Sequence, residues 1–244
     1  MWRKKLYLIV SLFWAGSSYA SGFIDVKSPD GTIALTVVHE ENFKLYYKVF
    51  YKGKEVTGYS GMAIKLQSPA VVLDQFDLSG IDSTVINETW KPVWGEVNVI
   101  RNNYKQLVIK LADRSGSGII LQIIFRVFND GVGFRYVFPQ QKKLNHFIIA
   151  DELTQFAMSA DHKAFWIPGD YDTNEFMYNT TKLSEVDASS SAMSQEIYAK
   201  TFFDKNAVQT PLMMKSSDGL YINIHEAALV NYPAMNLVVD KTDF

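Results

Sequence analysis

The sequence predicts an all-β fold, a large antiparallel β-sandwich. Segments that alternate apolar and polar residues follow one another along the chain, turn-forming residues separate them, and no long amphipathic helix can be traced. The aromatic content of 14% agrees with this prediction, because Phe and Tyr favour strands. Neither half of the chain contains a linker-like stretch, so we expect one β-domain after the N-terminal segment.

The first 20 residues have the pattern of a signal peptide. Basic MWRKK precedes the short apolar run LYLIVSLFWAG, and the small residues Ser18 and Ala20 match a cleavage site. The apolar run is short for a transmembrane helix, although an uncleaved anchor stays open as the alternative. We expect an exported protein with no membrane span after cleavage, in which residues 21–244 form the β-domain.

The first strands are predicted from residues 31–58. Ile33, Leu35 and Val37 would share one face of a strand. The same alternation places Leu45, Tyr47 and Val49 on one face of the next strand, and Gly53 marks a tight turn after it.

The clearest pattern is an antiparallel meander between residues 98 and 139. The segments DRSGSG and NDG supply turn residues, and the meander ends in GFRYVFP, where Phe134, Tyr136 and Phe138 would point one way. Residues 150–158 are expected to form one helical turn, and residues 183–201 a loop or a short helix.

The last part of the chain repeats the strand pattern. Asp218-Gly219 is predicted to be a turn between two strands. The final segment, YPAMNLVVDKTDF, begins another strand-like run and then stops. We therefore expect the domain to be truncated at its C-terminal end.

The composition narrows the classes of partner and of chemistry. Hydrophobic residues make up 48% of the 244 residues and charged residues 20%, which is typical of a globular protein. The formal net charge of −2 gives no electrostatic reason to expect a nucleic acid as a partner. The chain has no cysteine, which excludes disulfide bonds and thiolate metal sites.

The segment FWIPGDYDTNEF, residues 165–176, is the main candidate site. Asp170, Asp172 and Glu175 lie within six positions and offer carboxylate oxygens, which Ca²⁺ prefers, although the spacing is not that of an EF-hand. Alternatively, the aromatic residues stack on sugar faces while the carboxylates accept sugar hydroxyls. A third reading is an ordinary turn in which Trp166 fills the core.

Two other segments are candidates. In ETWKPVWGE, Trp90 and Trp94 flank Pro92, which fits either an edge strand with packed tryptophans or a surface that faces a ligand or another domain. His225-Glu226 is not a zinc-protease motif, because Leu229 stands where the second histidine would be, and neighbours in a strand point to opposite faces. No serine-nucleophile motif or phosphate-binding loop is present.

Five segments in this order resemble glycoside hydrolase family 97, especially the α-glucosidases that gut bacteria use for starch. They are SPDGTIALTV, ETWKPVWGE with IRNNY, FRVFNDGVGFRYVFP, FWIPGDYDTNEF and MMKSSDGLYINIHEAALVNYPAM. The resemblance covers residues 27–239. It implies a galactose-mutarotase-like β-super-sandwich, which in the family precedes a catalytic (β/α)₈ barrel that is absent here.

The resemblance also implies a function and site residues. The family's barrel supplies the catalytic carboxylates, so no catalytic residue is expected in this chain, and the chain alone should be inactive. In GDYDTNEF, Glu175 would be a ligand of a catalytic Ca²⁺ shared with the barrel. Trp166, Asp170, Tyr171 and Asp172 would be supports or rim residues.

The parent protein is then expected to be a periplasmic, calcium-dependent α-glycosidase that acts on starch-derived oligosaccharides. The alternative is a stand-alone carbohydrate-binding β-sandwich, with Trp90, Trp94 and Trp166 as its stacking platform. The family contains both inverting α-glucosidases and retaining α-galactosidases, and the residue that would distinguish them lies in the barrel.

Overall fold

The computed structural model describes residues 22–194, 196, 201 and 203–242, and these form an almost entirely antiparallel β-structure. The predicted signal peptide, residues 1–20, lies outside the described residues. The strands of the first half are β1 (Gly22–Lys27), β2 (Ile33–His39), β3 (Leu45–Tyr51), β4 (Lys54–Gly61), β5 (Ile64–Ser68), β6 (Val71–Leu73), β7 (Phe76–Trp90), β8 (Ile100–Asp113), β9 (Ile120–Val127) and β10 (Val132–Val137).

The second half contains shorter elements. Its strands are β11 (Ile148–Glu152), β12 (Lys163–Trp166), β13 (Asn179–Lys182), β14 (Ala207–Gln209), β15 (Leu212–Lys215), β16 (Tyr221–Ile224) and β17 (Asn236–Val238). A turn of 3-10 helix, Leu183–Glu185, and a short helix, α1 (Ala188–Met193), follow β13. The prediction of a loop or short helix in this region is confirmed as far as the described residues extend.

The larger core lies between two four-stranded sheets, with strand orders β1-β2-β3-β4 and β10-β9-β8-β7. Leu35 and Val37 of β2 are fully buried, as the alternation predicted. The ring of Tyr47, on β3, contacts that of Phe125, on β9, with 6.1 Å between centroids. The predicted all-β sandwich is therefore confirmed.

The predicted turns have the backbone geometry that their residues favour. Lys52 and Gly53, between β3 and β4, both have positive φ angles, 50° and 78°. Two successive positive φ angles are the requirement of a type I′ hairpin turn. Between β15 and β16, Gly219 has a φ of 91°, so the turn at Asp218-Gly219 is also confirmed.

A second, smaller core surrounds β12, the strand from which the candidate loop leaves. The sheet β13-β12-β15-β16 buries Ala164 and Trp166 of β12 together with Leu212 and Met214 of β15. A two-stranded sheet, β14-β17, adds Val208 to the same cluster. The expected C-terminal strand is therefore present as β17.

The prediction of a helical turn in residues 150–158 is wrong. Ile148–Glu152 forms strand β11 and pairs with β5. Beyond it, the amides of Leu153 and Gln155 donate to the carbonyls of Ala63 and Gly61. Hydrogen bonds to a neighbouring segment thus take the place of helical ones, a tertiary effect that local sequence does not reveal. Within the described residues, no helix is long and apolar enough to cross a membrane.

Candidate functional site

The candidate site is the loop of residues 168–176, which connects β12 to β13 and which we call the Glu175 loop. Its N-terminal end is fixed by β12, whose last residue, Trp166, is only 2% exposed. The indole Nε1 donates to Thr181 Oγ1 at 3.0 Å, which satisfies the polar atom of the buried ring. A buried ring cannot stack on a sugar. Trp166 is therefore a support for the loop, and its place in a stacking platform or a substrate rim is wrong.

Asp170 organises the start of the Glu175 loop. It is 6% exposed, and its Oδ1 accepts hydrogen bonds from the amides of Asp172 (2.9 Å) and Thr173 (3.1 Å) and from Thr201 Oγ1 (2.5 Å). Its Oδ2 accepts from the amide of Thr201 at 2.6 Å. Burial alone would raise the pKa of Asp170, but these bonds outweigh it and hold the pKa below its usual value. Asp170 is therefore a support residue.

A second contact ties the loop to β14. Gln209 Nε2 donates to the carbonyls of Pro168 at 3.0 Å and Thr173 at 2.7 Å, so one side chain joins both halves of the loop. The amide of Gly169 donates to the carbonyl of Ala207 at 2.8 Å. A Cβ on Gly169 would lie 2.6 Å from the Cβ of Ala207, so only glycine fits this close approach.

Tyr171 lies on the outer surface of the loop and is 72% exposed. Its ring packs on that of Phe203, with centroids 5.0 Å apart and planes 30° from parallel. This contact orients the tyrosine while leaving most of it accessible. The position of Tyr171 is compatible with the predicted rim.

Glu175 and Asp172 are the two exposed carboxylates of the loop. Neither side chain makes a hydrogen bond or an ion pair with any described residue. The backbone around Glu175 is nevertheless fixed, because its amide donates to Thr173 Oγ1 at 3.1 Å and the next residue, Phe176, is 5% exposed and packs with Ile167. The loop thus presents a free carboxylate on a held backbone.

The described residues of the loop do not form a complete calcium site. Ca²⁺ takes about six to eight oxygen ligands. No group of three or more His, Cys, Asp or Glu with metal-binding geometry exists among the described residues. Glu175 fits as one ligand of a site completed elsewhere, since its carboxylate is exposed and unpaired. Asp170 does not fit, because its oxygens are engaged within the loop.

The other sequence candidates lie away from this loop. Trp90 is 50% exposed and Trp94 88% exposed, at the tip of the hairpin formed by β7 and β8. The interpretation of packed tryptophans is therefore wrong, and the alternative, a surface that faces a ligand or another domain, stays a prediction. His225 and Glu226 follow the end of β16 instead of lying within it. Glu226 accepts from the amide of Met235, which is a structural role.

Sequence reasoning missed the partners that hold the loop, namely Thr201, Phe203, Ala207 and Gln209. Each lies more than 25 positions beyond its contact in the loop. None of them belongs to a motif. The only local signal was Pro168-Gly169, which predicted a turn but not its close contact with β14.

Comparison with known proteins places the chain in a family. The profile described as Glycosyl-hydrolase 97 N-terminal matches residues 26–243. A retaining alpha-galactosidase of Bacteroides thetaiotaomicron is 23% identical over 247 residues, which cover 96% of this chain and 33% of that protein. The chain thus spans about a third of this relative's length.

Comparison with solved structures gives the same family. A glycoside hydrolase family 97 enzyme from Pseudoalteromonas sp. strain K8, solved in complex with panose and with acarbose, is 30% identical with a TM-score of 0.73. The match covers 88% of this chain and 30% of that enzyme. A beta-arabinopyranosidase, 19% identical with a TM-score of 0.58, shares the fold alone. The predicted resemblance is confirmed, and the chain belongs to the glycosyl-hydrolase 97 N-terminal family.

Proposed function

We propose that this chain is the N-terminal, non-catalytic domain of an exported, periplasmic, calcium-dependent α-glycosidase that acts on starch-derived oligosaccharides. The observation that carries the proposal is the exposed carboxylate of Glu175, which has no partner among the described residues, on a loop held from both sides. Asp170, in contrast, is buried and its oxygens are engaged within the loop, so it has no oxygen to offer to an ion.

Within this proposal, Glu175 supplies one oxygen ligand to a Ca²⁺, and the (β/α)₈ barrel of the parent protein supplies the others. The ion, when bound, would stabilise charge that develops on the substrate. The residues of this chain position that ligand. Asp170 and Gln209 fix the loop, and Phe176, the residue after Glu175, is buried against Ile167 and anchors the end of the loop. Tyr171 and Asp172, both exposed beside Glu175, would form part of the active-site rim.

The exposed tip of the hairpin formed by β7 and β8 supports a second role, as an interface with the barrel. The strands are 15 and 14 residues long. At the tip, Val93 is 98% and Trp94 88% exposed. Large apolar side chains clustered in contact with water indicate an interaction surface. We propose that this tip packs against the catalytic domain.

The same tryptophans favour one competing function, a stand-alone sugar-binding module. Trp90 and Trp94 are accessible, and exposed tryptophan rings can stack on the apolar faces of sugars. Titration with maltooligosaccharides separates the two proposals. Saturable binding that is lost in Trp94→Ala would favour the module, whereas an interface role predicts no binding.

The glycosidase proposal predicts that the purified chain does not hydrolyse nitrophenyl α-glucosides or α-galactosides, because the acid and base lie in the barrel. Hydrolytic activity that co-purifies with the chain would contradict the proposal. Joined to the remaining two-thirds of the Pseudoalteromonas enzyme, the chain should support calcium-dependent hydrolysis. The same hybrid carrying Glu175→Gln should require a higher calcium concentration for half-maximal activity than the unsubstituted hybrid.

A further inference from the structure

Three lysines face one another across the sheet β13-β12-β15. Lys163 of β12 is directly opposite Lys182 of β13 on one side and Lys215 of β15 on the other. Cross-strand partners point to the same face, so the three ammonium groups emerge side by side. Like charges opposite one another destabilise a sheet. Among the described residues, only Lys182 of this row has a carboxylate partner, Asp161.

The lysine row borders a cavity of about 470 Å³. Its walls also carry hydroxyl groups, from Thr180, Thr181, Ser216 and Ser217. A cavity of this volume can accommodate a ligand as large as a small sugar, and not only a simple inorganic ion. The cavity lies at the Lys163 end of β12, whereas the Glu175 loop leaves from the Trp166 end.

The acidic groups of the cavity are largely engaged. Asp161 accepts hydrogen bonds from the amide and hydroxyl of Ser184, at 3.0 and 2.8 Å, and lies 3.8 Å from Lys182 Nζ. Glu185 accepts from the amide of Lys182 at 3.0 Å. Lys54 and Asp218, which lie nearby, pair with each other.

Two of the three lysines have no carboxylate partner. Within the described part of the chain, Lys163 and Lys215 form no ion pair, although Lys215 Nζ lies 5.0 Å above the ring of Tyr221. Their charges are therefore available to a ligand. These ammonium groups, with the hydroxyls of Thr180 and Ser217, are the donors that an oxyanion requires. The hydroxyls of Thr181 and Ser216 donate instead to the carbonyl of Lys182 and to Asp218.

A buried histidine in the cavity wall also lacks a partner. His162 is 5% exposed, and its Nε2 has no hydrogen-bond partner among the described residues. Burial, assisted by the charge of Lys54, lowers the pKa of His162. An unpaired buried polar atom costs free energy, so a ligand or water that reached it would stabilise this wall.

We propose that this cavity binds a phosphate- or sulfate-type oxyanion through Lys163, Lys215 and Lys182. The oxyanion is either a free ion or the charged group of a sugar, and the size of the cavity leaves room for the sugar. This site is independent of Glu175 and of the proposed calcium chemistry, so failure of one proposal leaves the other intact.

Isothermal titration calorimetry of the purified chain tests the proposal at constant ionic strength, with chloride as the background anion. The ligands are inorganic phosphate, inorganic sulfate, glucose 6-phosphate and uncharged glucose. We expect saturable binding of the anions and none of glucose. Tighter binding of glucose 6-phosphate than of phosphate assigns the site to a sugar-borne group, and equal binding assigns it to the free ion.

Lys163→Gln should weaken anion binding at least about tenfold, because one charge-assisted hydrogen bond is lost. Lys215→Gln, on the neighbouring strand, should do the same. Lys27→Gln is the matched control, since Lys27 is an exposed strand lysine on β1, and it should leave the affinity unchanged.

Thermal melting without anion serves as the folding check. Lys163→Gln should melt at the temperature of the unsubstituted chain or higher, because it relieves repulsion within the row. The absence of saturable anion binding up to about 10 mM would overturn the proposal, as would an unchanged affinity in both Lys163→Gln and Lys215→Gln.

Discussion

Asp170 and Glu175 are carboxylates of the same loop with opposite roles. Asp170 is buried and accepts hydrogen bonds through both oxygens, whereas Glu175 is exposed and its carboxylate accepts none from the described residues. The first therefore holds the loop, and the second is free to bind. This division can be tested by substituting each residue.

Asp170→Asn should destabilise the protein by about 1–3 kcal/mol. The new amide nitrogen cannot accept the hydrogen bond that the Thr201 amide donates to Oδ2, so two donors would face each other. Urea unfolding measures the change. Asp172→Asn is the control, since Asp172 is exposed and its side chain has no described partner. Equal stability of the two variants would contradict the assigned role of Asp170.

The lowered pKa of Asp170 gives this effect a pH dependence. A group whose pKa is lower in the folded state stabilises it above the unfolded pKa, here near 3.8, and the stabilisation is lost as pH falls through the folded value. The stability difference between the unsubstituted chain and Asp170→Asn should therefore be constant near neutrality and shrink below pH 3.8. Unfolding curves across this range check the prediction, and a difference that grows on acidification would contradict it.

The sequence drew attention to this loop without separating the roles of its carboxylates. It grouped Asp170, Asp172 and Glu175 by type and spacing, which are the only local properties that a sequence displays. Burial separates them, and burial depends on Thr201 and Gln209, which lie 31 or more positions away. The resemblance to the family singled out Glu175, whose exposed carboxylate is compatible with that prediction but shares its exposure with Asp172.

The Glu175 loop packs closely against β14, where Gly169 lies next to Ala207. Gly169→Ala should cost about 1–3 kcal/mol, because its Cβ would lie 2.6 Å from the Cβ and 3.1 Å from the backbone carbon of Ala207. Gly133→Ala is the matched control, since no atom lies within 4 Å of its added Cβ. Thermal unfolding of both variants tests the contact. Equal melting temperatures would show that the loop does not pack against β14.

The hairpin formed by β7 and β8 shows where pattern reasoning fails. Its sequence predicted an edge strand with packed tryptophans. β7 is indeed the edge strand of its sheet, but Trp90 and Trp94 are exposed, because alternation does not show how much of an edge strand other elements cover. Ile109 of β8 is fully buried, whereas its partner Ile81 of β7 is 46% exposed. Side chains that pattern alone would assign to the core thus remain on the surface.

The exposed tip should dominate the hydrophobic surface of the isolated chain. Replacing Val93 and Trp94 together by Ser should remove most of the binding of an apolar fluorescent dye, while leaving the melting temperature unchanged. Val238→Ser, at an exposed position on β17, is the control. Undiminished dye binding in the double variant would place the interaction surface elsewhere.

At the scale of the whole molecule, the all-β fold was predictable and the distribution of its cores was not. Period-two alternation and the turns at Gly53 and Gly219 identified the strands. The division into a large core between two sheets and a smaller core around Trp166 depends on which sheets meet, which no local pattern encodes. The smaller core carries both the Glu175 loop and the lysine row, at opposite ends of β12.

The chain spans about a third of the relatives it matches. Under the proposed function, such a domain would contribute to catalysis only by what it presents to the rest of the enzyme. We therefore propose that Glu175 completes a calcium site to which other parts of the protein supply the remaining ligands.

The calcium-activation curve of the hybrid with the Pseudoalteromonas enzyme tests this claim most directly. After chelation, α-glucoside hydrolysis is measured against added calcium for the unsubstituted hybrid, Glu175→Gln and Asp172→Asn. We predict that Glu175→Gln requires at least about tenfold more calcium for half-maximal activity, while Asp172→Asn follows the unsubstituted curve. Coincidence of the Glu175→Gln curve with the unsubstituted one would contradict the account.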